Sequence, residues 1–197
     1  ASAGDEAEHT LETSSVHQFN TGSWNAYLNP DDVWGRYYSG IRKVNQFLLS
    51  ADSINLDHYR LDPSPVQQFL YNLKLEEIKR WKYETRLLRA FFYFELVKRY
   101  GGVPIITDPM TLEDNFNLER NSLEECFQFI SDECDSAANN LPDNFTGPDL
   151  GRVTNGTALA LKSRVLLYSA SDLYNNASLA GGYSDPGLIS HVNGNRT

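Results

Sequence analysis

The run Glu84-Thr-Arg-Leu-Leu-Arg-Ala-Phe-Phe-Tyr-Phe-Glu-Leu-Val-Lys-Arg-Tyr-Gly-Gly-Val-Pro104 decides the fold. Leu88, Phe92, Leu96 and Arg99 recur at helical spacing, and the stripe continues upstream through Leu75, Ile78, Trp81 and Thr85. The spacing predicts a long helix from about Leu73 to Tyr100. Phe91, Tyr93 and Phe94 widen the apolar surface, so its second half is expected to be buried. Glu95 and Arg99 have the i, i+4 spacing of an ion pair. Gly101-Gly102 supplies the left-handed stop and Pro104 forbids continuation. The extended piece Val103-Pro-Ile-Ile106 is too short for a sheet.

Three further helices follow from the same signals. Asn29-Pro30-Asp31-Asp32 reads as a cap, a first-turn proline and two acids at the positive end of a helix dipole. Trp34, Tyr37, Tyr38, Ile41, Val44, Asn45 and Leu48 then mark a helix ending near Ser50. Ser122-Leu-Glu-Glu125 matches a capping box, followed by the stripe Leu123, Cys126, Phe127, Ile130, Cys134, Ala137 and Ala138 and the stop Leu141-Pro142. The last helix runs from near Thr154 to about Tyr174. It carries small residues (Ala158, Ala160, Ser163, Ser169, Ala170) that allow close helix contact. The last two helices are centred roughly 33 residues apart, near the period of tetratricopeptide-type helix pairs. The expected class is all-α, a tetratricopeptide-like repeat scaffold with long loops at 1–30, 51–72, 103–121 and 175–197. The stretch 175–197 reads as a flexible tail at which the chain is cut from a longer protein.

Composition narrows the function. The 197 residues hold 17 Lys and Arg against 26 Asp and Glu, a net charge of −9. An acidic chain is poorly suited to neutralising nucleic-acid phosphates or docking on anionic lipid. No apolar run approaches the ~20 residues of a membrane-spanning helix, and the opening Ala1-Ser-Ala-Gly-Asp lacks the pattern of a signal peptide. Cys126 and Cys134 stand eight apart on one expected helix, about 12 Å in rise, too far for a disulfide. Two small buried thiols are expected.

Catalytic patterns are not visible. His9, His17, His58 and His191 are scattered and build no metal motif. Asp5, Glu6, Glu8, His9 and Glu12 read as a solvated acidic segment. Asp31/Asp32 and Glu124/Glu125 serve helix starts, while Glu76/Glu77 and Asp132/Glu133 read as solvent faces. There is no G-x-S-x-G and no phosphate loop. Asn-x-Ser/Thr tripeptides at Asn144, Asn155, Asn176 and Asn195 suit an Asn-rich chain. No cofactor and no metal are expected. The positive signal is Asn20-Thr-Gly-Ser-Trp-Asn-Ala-Tyr27. It sets Trp24 and Tyr27 among small polar groups, a pattern that stacks on a sugar face while Asn25 bonds hydroxyls. The same aromatics also fit a simpler role, pinning the loop to the helices.

The motifs also resemble a known family. Trp34-x3-Tyr38-x2-Ile41-x3-Asn45 is similar to the early helix of the SusD/RagB outer-membrane nutrient-binding lipoproteins. The Arg89-Ala90-aromatic helix ending in Tyr100-Gly101 and Pro104 resembles that family's strongest motif. Arg120-Asn-Ser122, Leu141-Pro142, Gly151-Arg152-Val-Thr and Ala158-Leu-Ala-Leu-Lys-Ser-Arg164 continue the likeness in order, and Asp5-Glu6-Ala7 fits the acidic segment before the first loop. Tyr83-Glu84-Thr85 departs from the Gly-Glu-Ala frequent in relatives.

The resemblance implies a single SusD-like helical domain over 1–197, part of a longer protein, with 1–30 as a polar aromatic loop region. It implies a non-catalytic role: binding an oligosaccharide or polysaccharide at the outer face of the outer membrane and passing it to a SusC-like TonB-dependent transporter. Membrane association would run through a lipid anchor absent from this chain. Trp34, Asn45, Arg89, Tyr100 and Arg152 then read as fold residues. Ligand contact is assigned to Trp24, Asn25 and Tyr27, with Asp5 and His17 as weaker additions. A helical-repeat module binding protein, or a peptide-binding relative, is the alternative.

Overall fold

The computed structural model describes residues 3–4, 7–8, 10–23, 25, 27–29 and 31–191, and it parts into two units, Ala1–Trp34 and Gly35–Thr197. The first unit holds a minimal hairpin. β1 (Ala3–Gly4) pairs antiparallel with β2 (Ala7–Glu8), Ala3 opposite Glu8 and Gly4 opposite Ala7. A single helical turn, α1 (His17–Asn20), follows. The other described elements are helices, joined by loops.

α2 spans Trp34–Ser50 and buries Ile41, Val44 and Asn45. It starts later than the Asn29-Pro30 signal suggested. Asn29 Oδ1 accepts from the Asp31 amide at 2.9 Å and closes a local turn, and Asp32 Oδ1 accepts from the Trp34 amide at 3.1 Å. A short polar side chain can satisfy its neighbours' backbone as easily as a helix end, and here the turn wins. Pro30 lies outside the described residues.

A 3-10 turn at Ala51–Ser53 and one turn of α3 (Asp57–Arg60) lead into α4, which runs Pro65–Tyr100 over 36 residues. The expected loop 51–72 therefore holds two turns of helix and the first eight residues of α4. Pro65 at the first helical position pre-sets the backbone dihedral. Gln68 Nε2 donates to the Asp62 carbonyl at 2.6 Å and the Arg60 carbonyl at 3.1 Å, fastening the entry. The early turns lack a buried apolar stripe: Val66 and Phe69 face solvent.

α5 (Leu123–Ala138) carries the capping box read from its sequence. Ser122 Oγ accepts from the Glu125 amide at 3.2 Å, and Glu125 Oε2 accepts from the Ser122 amide at 2.8 Å. α6 (Asn155–Ser169) is capped by Thr154, with Thr157 reaching back. It stops five residues before the expected Tyr174, and Asp172–Tyr174 form a separate 3-10 turn. One turn of α7 (Ala177–Ala180) and a 3-10 turn at Pro186–Leu188 complete the described chain.

The core lies where α5 packs on α4 and on α6. Tyr93, Phe94, Leu96, Val97, Val103, Leu123, Ile130, Cys134, Ala137, Ala158 and Val165 are wholly buried. Each large apolar side chain there contributes about 1.5–3 kcal/mol. Cys126 and Cys134 are free and buried, as expected. Burial pushes their thiols up, to about 11 for Cys126 and about 12 for Cys134.

The extended piece 103–106 is held by side chains in place of a sheet. Tyr38 donates its hydroxyl to the Pro104 carbonyl at 2.8 Å, and Asn45 Nδ2 donates to the Ile106 carbonyl at 2.9 Å. The Ile106 amide donates to the Tyr93 hydroxyl at 2.7 Å, and the Ile105 amide to Asn121 Oδ1 at 2.9 Å. Gly101 and Gly102 are dictated by this crowding. Gly101 sits at φ +73°, and a Cβ there would lie 2.2 Å from the Leu188 carbonyl oxygen. A Cβ on Gly102 would lie 2.1 Å from the Asn121 oxygen.

The stretch 175–197, expected as a flexible tail, is fastened over its described part. The His191 amide donates to the Tyr174 carbonyl at 2.8 Å, and the Gly102 amide donates to the Leu188 carbonyl at 2.7 Å. Residues 192–197 lie outside the described part. No described helix is long and apolar enough to cross a membrane.

Candidate functional site

The loop that sequence reading singled out is built on α1. The Thr21 amide donates to the His17 carbonyl at 3.0 Å, and the Ser23 amide donates to the Gln18 carbonyl at 3.2 Å. Gly22, at φ +68°, turns the chain where a side chain would strain it. Asn25 then organises the next turn. Its Oδ1 accepts from the Tyr27 amide at 2.9 Å and the Leu28 amide at 3.1 Å, while Asn25 and Leu28 exchange backbone bonds at 3.1 and 3.2 Å. Asn25 Nδ2 donates to the Ser23 carbonyl at 3.3 Å and has a second hydrogen to give. The result is a short, internally bonded turn that presents Tyr27, a residue 100% exposed. A phenol ring in that position offers a flat apolar face and a hydroxyl that donates or accepts.

Asn25 and Tyr27 are thus brought together, and His17 is half-buried at the start of α1. Trp24 and Asp5 lie outside the described residues, as do Glu6 and His9 of the acidic segment. Asn25 has a role that its residue type alone does not disclose: its carbonyl oxygen is spent on the turn, so it fixes Tyr27 and keeps only an N–H for a ligand. Among the described residues no group of three or more side chains could hold a metal ion.

In the helical unit, charged groups mostly hold the fold. Asp132/Glu133 read as a solvent face, but Glu133 is only 3% exposed. Its Oε1 accepts from Arg86 at 2.6 Å and its Oε2 from Arg89 at 3.0 Å. Arg89 also donates to Asn45 Oδ1 at 2.8 Å, and Asn45 passes the chain on to Ile106. This buried relay ties α5, α4, α2 and the 103–106 piece together. Arg152 pairs with Glu84, and Lys162 with Asp135 at 2.6 Å. Glu95 takes both Lys98 at 2.6 Å and Arg99 at 2.7 Å. Burial alone would raise its carboxyl, but the two cations hold it below the usual range. Arg89, Asn45 and Arg152 are therefore fold residues, as the resemblance implied.

Three clefts of similar size open on this unit: a half-open one of about 400 Å³ among Lys98, Arg99, Tyr100, Arg120, Tyr174 and Leu188, one of about 400 Å³ among Glu76, Glu77, Arg80, Asn140 and Pro142, and an apolar one of about 420 Å³ among Leu87, Leu88, Phe91, Val153, Leu161 and Arg164. The first and third hold no pair of carboxylates, and the second holds Glu76 and Glu77, neighbours in sequence on α4 beside Arg80.

Comparison with known proteins places these features. The SusD-like family described as starch-binding and associating with the outer membrane matches residues 2–167. A SusD-like protein of Bacteroides ovatus is 36% identical over 104 residues, covering 53% of this chain and 17% of the relative. A SusD-like protein of Formosa agariphila is 25% identical over 162 residues, covering 73% of this chain and 31% of the relative. Among solved structures, a SusD-like protein of Bacteroides fragilis aligns with TM-score 0.66 and 35% identity over 81% of this chain and 28% of its own. A laminarin-binding SusD-like protein aligns with TM-score 0.65 and 27% identity over 82% of this chain and 32% of its own. The chain thus spans less than a third of the length of each of these relatives.

Proposed function

Because the chain belongs to the SusD-like family, we propose that it is the helical part of a non-catalytic glycan-binding protein of the outer membrane. In this reading the whole protein stands at the extracellular face on a lipid anchor. It captures an oligosaccharide or polysaccharide and hands it to a SusC-like TonB-dependent transporter. The ligand is touched by Tyr27 and Trp24 through their ring faces and by Asn25 through its free N–H, with Asp5 and His17 as weaker additions. The family's description as starch-binding and the laminarin-binding relative support the ligand class. The observation that carries the reading is the Asn25-braced turn with the Tyr27 ring wholly in solvent. Leaving a large ring exposed on a hydrogen-bonded turn costs the fold its burial and suits a stacking platform.

The test is calorimetric binding of the intact parent protein to an oligosaccharide that it recognises, with Trp24→Ala and Tyr27→Ala variants. Each truncation is expected to weaken binding by about 1–3 kcal/mol. Unchanged affinity in two well-folded variants removes the loop from the site.

A second reading, a helical module that binds protein, draws on the apolar side chains exposed on α4 and α6: Val66, Phe69, Leu159 and Leu167. Soluble sugars compete with the first reading and leave a helix-face contact untouched.

A further inference from the structure

We propose that the strap Pro186–His191 is a proton-operated latch, which grips the helical unit while His191 is neutral and lets go when His191 takes up a proton. Four bonds hold the strap. The Leu188 carbonyl accepts from the Gly102 amide at 2.7 Å, and the Tyr174 carbonyl accepts from the His191 amide at 2.8 Å and from Ser190 Oγ at 3.0 Å. The fourth joins His191 Nε2 and Ser169 Oγ at 2.9 Å. The imidazole is 7% exposed and lies against the Phe127 ring, centroids 5.7 Å apart. Phe127 in turn meets Tyr174 edge-on at 5.4 Å.

The decisive atom is His191 Nδ1. It is buried and has no hydrogen-bond partner among the described residues. In the neutral ring with Nε2–H it is a lone pair, a modest loss. In the imidazolium it becomes an N–H without an acceptor, carrying charge into an apolar seam. Among the described residues, the groups that face it are few. α5 offers Phe127 and the Glu124 carboxylate, whose charge favours protonation, and α6 offers the Ser169 hydroxyl. The Tyr174 phenol, pushed up to about 12 by burial, stays neutral. Burial outweighs Glu124 and Ser169 and holds the imidazole below its ordinary 6.5.

A released strap restores the ordinary value, so it binds the proton more tightly than the closed one. Closure is therefore complete above pH 6.5 and weakens as pH falls toward the closed-state value, by up to tenfold in the opening equilibrium per pH unit. Leu188 and Ile189 wall the cleft that holds Tyr174, Lys98, Arg99 and Arg120, so release opens that cleft.

Amide exchange of the full chain, followed by mass spectrometry at pH 7.5 and 5.5 and corrected for intrinsic rates, reads the latch directly. Exchange at 186–191 and at Gly102 is expected to rise by up to about tenfold between pH 7.5 and 5.5. An NMR titration is expected to place the His191 midpoint below 6.5. His191→Gln is expected to abolish the pH effect, whether its strap sits closed or open. Protection at 186–191 that does not change with pH overturns the proposal. So does a His191 midpoint at or above 6.5, or a pH effect that survives in a folded His191→Gln chain.

Discussion

Replacing Glu133 by Gln removes one negative charge from between two guanidinium groups and leaves the shape almost unchanged. Arg89 is 7% exposed, so it would keep its charge in a site that water barely reaches. It would retain the bond to Asn45 Oδ1 at 2.8 Å and lose the carboxylate at 3.0 Å. Breaking a buried pair by neutralising one partner costs about 3–5 kcal/mol. Arg86 is half-buried and can turn to solvent, so its share is about 0–1 kcal/mol. Against a domain stability of about 5–15 kcal/mol, the loss is large. At about 2–4 °C per kcal/mol for a domain of this size, the melting point should fall by about 6–20 °C. Thermal unfolding followed by circular dichroism, with urea titration alongside, measures it. The double variant Arg89→Met/Glu133→Met should lose less than Glu133→Gln, because no lone charge stays buried. A drop below about 1 kcal/mol for Glu133→Gln would refute the view that this relay holds the helices to the 103–106 piece.

Two further predictions concern the core. Gly102→Ala puts a Cβ 2.1 Å from the Asn121 carbonyl oxygen, so backbone must move; a loss of about 1–3 kcal/mol in urea unfolding is expected, and an unchanged midpoint would contradict the close approach. Cys126 and Cys134, with thiols raised to about 11 and 12, should react with a thiol reagent at pH 8 only as fast as the protein opens, and at once in denaturant. Prompt labelling of the folded chain would contradict their burial.

Local signals in this sequence were legible where one turn of chain decides the outcome. The Ser122/Glu125 box, the Gly101-Gly102 stop and the Glu95–Arg99 pair all lie within four residues, and all formed. Glu133 was misread because its partners lie 47 and 44 residues away on α4, and no local pattern separates a buried acid from a solvated one. The first turns of α4 fall outside the predicted helix although Ser64-Pro65 marks a start and Val66, Phe69, Leu70 and Leu73 keep helical spacing; in the fold Val66, Phe69 and Leu73 of that stripe stay exposed. Asn29 signals a start for α2 earlier than the one it takes, because Asn serves a turn and a helix cap equally well. The strap 186–191 read as loose because its hold is tertiary, through Gly102, Tyr174 and Ser169. At the candidate site, the aromatic among small polar groups was legible. The use of Asn25 Oδ1 to brace the turn was not, since it depends on backbone geometry at Tyr27 and Leu28.

The most direct test of glycan capture is a glycan-array measurement on the intact parent protein alongside this chain, each verified as folded. The account predicts that the parent binds at least one oligosaccharide or polysaccharide. A folded parent that binds no glycan on the array, and instead retains peptides, would contradict it.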